Sequence, residues 1–443
     1  MNLPGIGILA VAVLLALIVL RVPIGVALWL CGLAGNLYFL GVESTLIQLQ
    51  LVIWELNANF VLVALPLFIL MGQLAHHFGL GADLYRCFGQ WFGRIPGGLA
   101  ATSIASAASF GSVTGSSVAT VAAVGKTLLP EMRRMNYDSG FSSGTLASAG
   151  VLAILIPPSI PMVFYSAWTK TSLGDLFIAG IVPGLLLAGV FMAYVLLRCQ
   201  IDPALGPSQP AVTWSEKLRS LIYTLPIVAV LLAVLLVIYL GVATPTEAAA
   251  VGVAGIVTVG LLKYRRGVPG GMRSVFSGLS DSIDQTVLLS ANLLLLLTGG
   301  LVFSRFMAHS QLTDSMISLI MGLDLSVVVL LWALVVLYLM LGAILDTFGM
   351  LILTLPLVFP LVTNLGVDAV WFGVFMVMMI ELALITPPIG LNVFVILKIA
   401  PDVSALRVFK GTLPFVVLSL LVVGALIYWP ELALWLPESL NGM

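Results

Sequence analysis

Charge is what this sequence lacks. Of 443 residues only 8% are Asp, Glu, Lys or Arg, against about 25% in a soluble domain. Length alone would suggest about three soluble domains, but there is too little charge to face water with them. A hydrophobic content of 61% excludes a disordered or fibrous chain, because apolar surface on that scale does not stay solvated. A net charge of −1 leaves no basic footprint for nucleic acid. The three cysteines, Cys31, Cys87 and Cys199, lie too far apart for a zinc motif or a disulfide framework. What remains is an integral membrane protein.

The apolar residues are arranged accordingly. A membrane helix needs about 20 mostly apolar residues. Charge-free runs of that order occupy 22–42, 57–82, 95–125, 139–169, 176–197, 220–246, 285–304, 325–345, 347–367 and 411–430. The stretch from Leu3 to Leu20 has Arg21 after it and no basic residue before it, the reverse of a cleavable signal peptide. It reads as a retained first helix. Glycine (43) and proline (23) are plentiful and often fall inside the runs, which helical bundles tolerate, and unbroken runs of this length do not fit a β-barrel's short alternating strands. The expected fold class is all-α.

Basic residues in short loops mark the cytoplasmic side. They cluster at 86–94, 126–134, 198–219, 263–273 and 398–410. The turn Gly241 to Glu247 therefore faces outward, as do the N-terminus and the tail from Tyr428, which holds no Lys or Arg. Two segments break the weave. Residues 95–130 have basic residues at both ends, so they enter and leave from the cytoplasm as a re-entrant hairpin. Residues 325–367 lie between Asp324 and Asp368 and enter and leave from outside. Hairpins of opposite sidedness predict an inverted repeat. A shift of 230 residues tests it: Pro130 falls on Pro360, Pro157 on Pro387 and Pro158 on Pro388. The blander explanation is that proline punctuates apolar helices everywhere.

Each Pro-Pro pair, at Ile156-Pro157-Pro158-Ser159 and Thr386-Pro387-Pro388-Ile389-Gly390, breaks a helix and frees carbonyls at membrane depth. Such backbone is tolerated only where it lines a cavity or binds something. Free carbonyls suit Na⁺, and half-helix N-termini suit an anion. The first tip, residues 109–120, is rich in Ser, Gly and Thr, which allows close approach of a ligand or, equally, close helix packing. The second tip carries Asp346 in a charge-free stretch; an intramembrane carboxylate is a functional candidate by default, though it also suits a helix cap. Glu381 is a weaker candidate, for local bracing. Arg305 either meets a substrate carboxylate or snorkels at a helix end. His76, His77 and His309 lie near helix ends and point to no metal role.

The tip at 109–120, the Ile-Pro-Pro-Ser at 156–159, the Gly-x-x-x-Asp at 342–346 and the Ile-Thr-Pro-Pro-x-Gly-x-Asn at 385–392 together resemble the large membrane subunit of tripartite ATP-independent periplasmic (TRAP) transporters. The resemblance covers essentially the whole chain. It implies Na⁺-driven uptake of a small organic acid across the bacterial inner membrane by an elevator mechanism. It also implies a periplasmic substrate-binding protein and a separate small membrane subunit of four helices, since this length leaves no room for a fused one. Carried over residue by residue, one Na⁺ site uses Ser109, Gly111, Ser112 and Gly115 with Gly150, Ile154 and Pro157. A second uses Gly342, Asp346 and Thr347 with Leu384 and Thr386. The substrate lies between the tips near Ser116, Ser117 and Asn392, with Arg305 as a further contact. No enzymatic activity is implied, and Na⁺ is the only cofactor, as a co-transported ion.

The expected organisation is scaffold helices and an arm over 1–56, and a transport domain over 57–175 with hairpin 95–130 and break 156–159. Scaffold helices follow over 176–284, a second transport repeat over 285–408 with hairpin 325–367 and break 386–390, and a C-terminal helix over 409–443. The amphipathic segments 44–51 and 84–91 are expected to lie in the lipid interface. Two rivals differ in class. A Na⁺/dicarboxylate symporter without a binding protein would carry a Ser-Asn-Thr signature at its tips, which is absent. A membrane-embedded enzyme or proton-translocating subunit would need a relay of intramembrane titratable groups or a nucleophile with a base, and no His or Lys is placed near the Ser-rich tips except Lys126, at an expected cytoplasmic end. The sequence does not name the acid.

Overall fold

The computed structural model describes residues 3–210, 212–265, 271–323 and 325–441. Asp324, expected to bound the second hairpin, and Arg266 of the basic cluster 263–273 lie outside the described residues. All regular structure among the described residues is helical. Seven helices are individually long and apolar enough to cross a membrane, and up to nine spans result when each of two bent pairs counts as one. The chain is a multi-pass membrane protein.

The first half runs α1 (Leu3–Val19), α2 (Ile24–Asn57), α3 (Val61–His77), α4 (Leu80–Phe92), the hairpin α5 (Gly98–Thr114) and α6 (Ser117–Arg134), the broken helix α7 (Ser139–Ala149), α8 (Leu152–Leu155) and α9 (Ile160–Thr169), then α10 (Leu173–Ile201). The second half repeats the order. It runs α11 (Trp214–Tyr239), α12 (Pro245–Arg265), α13 (Gly271–His309), α14 (Leu312–Gly322), the hairpin α15 (Val327–Leu341) and α16 (Thr347–Asn364), the broken helix α17 (Ala369–Ala383) and α18 (Leu391–Ile399), and α19 (Ala405–Tyr428). A final helix, α20 (Glu431–Asn441), has no counterpart. The single C-terminal helix expected over 409–443 is thus two helices parted at Trp429-Pro430, where proline lacks the N–H that would carry the first one on.

Backbone detail carries the repeat further than the prolines do. Asp138 and Asp368, 230 apart, N-cap α7 and α17 by accepting from the N–H of Phe141 and of Trp371, each at 2.8 Å. Ser116 and Asp346, again 230 apart, N-cap α6 and α16. Asn136 and Gly366 both take positive φ, 58° and 81°. Gly79 and Gln311 do the same ahead of α4 and α14. Packing is exchanged between halves as a two-fold relation requires: α2 lies along α13 and α12 along α3, while α7 meets α19 and α10 meets α17.

Local chemistry explains the irregular elements. Gly41, at φ 74° and ψ 179°, interrupts α2, so that 42–57, including the segment expected at the interface, leaves the direction of 24–40. Gly79 turns α4 by 65° from α3, the departure that an interfacial placement of 84–91 requires. The α7–α19 crossing is made by glycine: a Cβ on Gly144 would sit 2.2 Å from the Gly411 carbonyl carbon, so the backbones touch there.

Ion pairs agree with the sidedness read from the basic residues. Arg133–Asp402 (2.8 Å), Arg407–Asp138 (2.9 Å) and Lys263–Asp83 (2.7 Å) join groups all expected in the cytoplasm. Glu55 joins Lys170 (2.9 Å) and Arg305 (3.1 Å) on the opposite side.

Candidate functional site

The first hairpin reverses in two residues. Gly115 ends α5 in the left-handed conformation (φ 58°) with its N–H donating to the Gly111 carbonyl at 2.7 Å, a position that glycine takes without a Cβ clash. Ser116 is then extended and caps α6, accepting from the Ala119 N–H at 3.4 Å. The Ser112 hydroxyl donates to the Ser109 carbonyl at 2.8 Å, and the Thr114 and Thr120 hydroxyls meet across the tip at 2.9 Å.

This tip is seated on the first break. A Cβ on Gly111 would lie 2.3 Å from the Ala153 Cα, so only glycine permits the approach. Gly115 lies against Ile160 and the Pro158 carbonyl, and Ile154 lines the same cavity as Ser116 and Ser117. Gly150 faces another way. A Cβ there would meet Val121, the Asn392 amide at 3.0 Å and the Ser117 hydroxyl at 3.1 Å.

The second tip is seated on the second break. A Cβ on Gly342 would lie 2.3 Å from that of Ala383, next to Leu384. Asp346 accepts from the Gly349 N–H at 2.8 Å through Oδ1 and lines the cavity with Thr347. The cap and the intramembrane carboxylate are one residue in one geometry. In the break, the Leu384 carbonyl accepts from the Asn392 N–H at 3.1 Å, and the Thr386 hydroxyl donates to the Ala383 carbonyl at 3.0 Å.

A cavity of about 630 Å³ joins the tips. Its walls are Gly115–Ala119 and Lys126 from the first hairpin, Asp346–Phe348 from the second, Ile160 and Pro161 after the first break, and polar residues of α3 and α13. It runs from the tips toward the basic end of α6, where Lys126 supplies a cationic side chain in the lining. Its volume suits a small organic molecule.

Two expected substrate contacts are placed elsewhere. Arg305 does not line this cavity; its guanidinium donates to Glu55 Oε2 at 3.1 Å, because it ends the α13 face that packs on α2. Asn392 is fully buried behind the first tip, with its Nδ2 donating to the Ser117 hydroxyl at 2.7 Å. Sequence reading also missed Gln73, His76, Gln285 and Asn292 in the cavity wall. A signal existed: each pair shares a helix face, at i,i+3 on α3 and i,i+7 on α13.

A family model described as "Tripartite ATP-independent periplasmic transporter, DctM component" matches residues 11–432. The chain belongs to this DctM family. The C4-dicarboxylate TRAP transporter large permease protein DctM of Pseudomonas aeruginosa is 33% identical over 411 residues, 93% of this chain and 94% of that one. The sialic acid TRAP transporter large permease protein SiaM of Vibrio cholerae is 29% identical over 388 residues, 87% of this chain and 88% of that one. Among solved structures, the Alcanivorax borkumensis YdaH transporter, described as having an unusual topology, superposes with a TM-score of 0.61 at 14% identity, over 86% of this chain and 87% of that one; this likeness concerns fold alone. As a DctM-family chain it is a transporter permease in secondary transport of organic acids, not an enzyme.

Proposed function

We propose that this DctM-family permease takes up a small organic acid together with Na⁺ across the bacterial inner membrane, receiving the acid from a periplasmic binding protein and braced by a small four-helix membrane subunit. The observation that carries the reading is the pair of hairpin tips, each seated through glycine on a Pro-Pro break, meeting in one cavity. Ser109, Gly111, Ser112 and Gly115 with Ile154 and Pro157 offer one oxygen-rich Na⁺ site. Gly342, Asp346 and Thr347 with Leu384 and Thr386 offer the other. The acid lies between Ser116, Ser117 and Thr347, where the N-termini of α6 and α16 present their partial positive charge. The relatives differ in the substrate they are named for, C4-dicarboxylate and sialic acid, so the acid is left at its class.

Alternating access follows from the tips' position. A site lodged between two hairpins changes sides when 57–175 and 285–408 move together against 1–56 and 176–284, an elevator motion. Carrying Na⁺ with the acid lowers the cost of moving either charge through hydrocarbon, which supplies the coupling. Asp346→Ala in reconstituted vesicles containing binding protein and small subunit should abolish Na⁺-dependent uptake. Near-wild-type uptake would refute the second Na⁺ site.

A further inference from the structure

Glu381 is fully buried, and among the described residues it is the one formally charged side chain that is. It sits in the last turn of α17, where the helix terminus is itself partially negative and opposes a carboxylate. Neither carboxyl oxygen has a hydrogen-bond partner. The Ser117 hydroxyl lies beside the carboxyl and accepts from Asn392 Nδ2 at 2.7 Å, while Asn392 Oδ1 is buried and unpartnered as well. The orphaned atoms of this cluster are therefore all acceptor oxygens, two of them on a carboxyl group. Packing accounts for a buried Ser or Asn. It does not account for a carboxyl group and an amide oxygen gathered around one hydroxyl donor, that of Ser117, in a membrane protein, where an uncompensated carboxylate is strongly disfavoured.

Oxygen ligands with one negative charge are the donor set of a hard cation, and a single carboxylate balances a monovalent one. The cluster is not part of the duplicated frame. At a spacing of 230, Glu381 stands opposite Val151 and Asn392 opposite Met162, and neither can ligate an ion. It also has an approach, since Ser117 lines the cavity. We infer that Glu381, Asn392 and Ser117 form a third Na⁺ site, behind the first tip and separate from the two tip sites. An ion there would tie the N-terminus of α6 to both α17 and α18. This inference rests on the Na⁺-coupled reading above.

The test uses the complete transporter in vesicles, with ²²Na⁺ and labelled substrate. Glu381→Gln keeps the shape and removes the charge. Expected are one Na⁺ fewer moved per substrate and a shallower Na⁺ titration of thermal stabilisation, with K⁺ inert throughout. Asn392→Ala, which leaves the carboxylate in place, should keep the ratio and shift the Na⁺ titration to about tenfold higher concentration. An unchanged ratio and titration in both variants overturns the site. Loss of pH dependence in Glu381→Gln with the Na⁺ ratio intact also overturns it, by showing a proton carrier. A wild type indifferent to Na⁺ overturns the coupled reading itself, an outcome distinct from the other two.

Discussion

At the scale of residues, the site depends on glycines whose missing Cβ brings backbone to backbone. Gly111→Val would force a branched side chain into a gap that does not hold even a Cβ beside Ala153. Overpacking of this kind costs about 1–3 kcal/mol. A lower melting temperature in detergent and loss of uptake are expected, measured against Gly189→Ala, where a Cβ meets nothing within 4 Å. Lys126 is the second residue with a sharp expectation. It lines the cavity at the end expected to face the cytoplasm, so Lys126→Gln should slow release or entry of an anion from that side, raising the half-saturation for counterflow from the inside while leaving outside-facing affinity unchanged. Asp346 was legible in the sequence as a carboxylate in an uncharged stretch. Glu381 was less so, because a run of apolar neighbours does not reveal whether a carboxyl group finds a partner across the fold.

At the scale of elements, two ion pairs join the first half to the second on the side expected to face the cytoplasm. Arg133 holds Asp402 and Arg407 holds Asp138. Partial burial pushes the Asp138 carboxyl up, but the Phe141 N–H and the Arg407 guanidinium outweigh it and hold the group below its usual range. The hydrogen bond from Arg133 lowers Asp402 in the same sense. A carboxylate lowered by folding contributes stability that is present above its unfolded pKa and lost as pH falls through its folded value. Acidification below about pH 4 should therefore loosen these contacts. Amide protection in the 135–140 and 400–407 segments, taken relative to the intrinsic exchange rate at each pH, should fall with falling pH in wild type and be low at every pH in Arg407→Ala. Because both pairs are exposed to solvent screening, their contribution is small, and global melting should barely move. The hairpins and breaks were legible from proline and glycine spacing, since those residues act on the backbone locally. The separation of α19 from α20 and the existence of α14 were not, because continuous apolar sequence hides a turn.

At the scale of the whole molecule, Glu55 on α2 holds both Lys170 at the end of α9 and Arg305 on α13. In the proposed division, Glu55 belongs to the scaffold and its two partners to the moving body. Movement of that body would break the contact. Cysteines at 55 and 170 joined by a short reducible cross-linker should stop uptake, and reduction should restore it. Full uptake with the link in place would exclude relative motion at this point. Glu55→Gln should leave the fold intact and shift the balance of states, seen as altered accessibility of a cysteine placed in the cavity wall.

The sequence by itself determined that the chain lives in a membrane and that two halves repeat, and it set the sidedness expected of the loops. Those properties follow from charge scarcity, basic loops and proline spacing, all of which act locally or through the solvent. Only the tertiary structure decided which polar groups meet. It drew Arg305 to Glu55 and away from the cavity, set Asn392 behind the tip against Ser117, and assembled Gln73, His76, Lys126, Gln285 and Asn292 around one space. Contacts between residues hundreds of positions apart depend on how two halves pack across each other, and no local pattern encodes that.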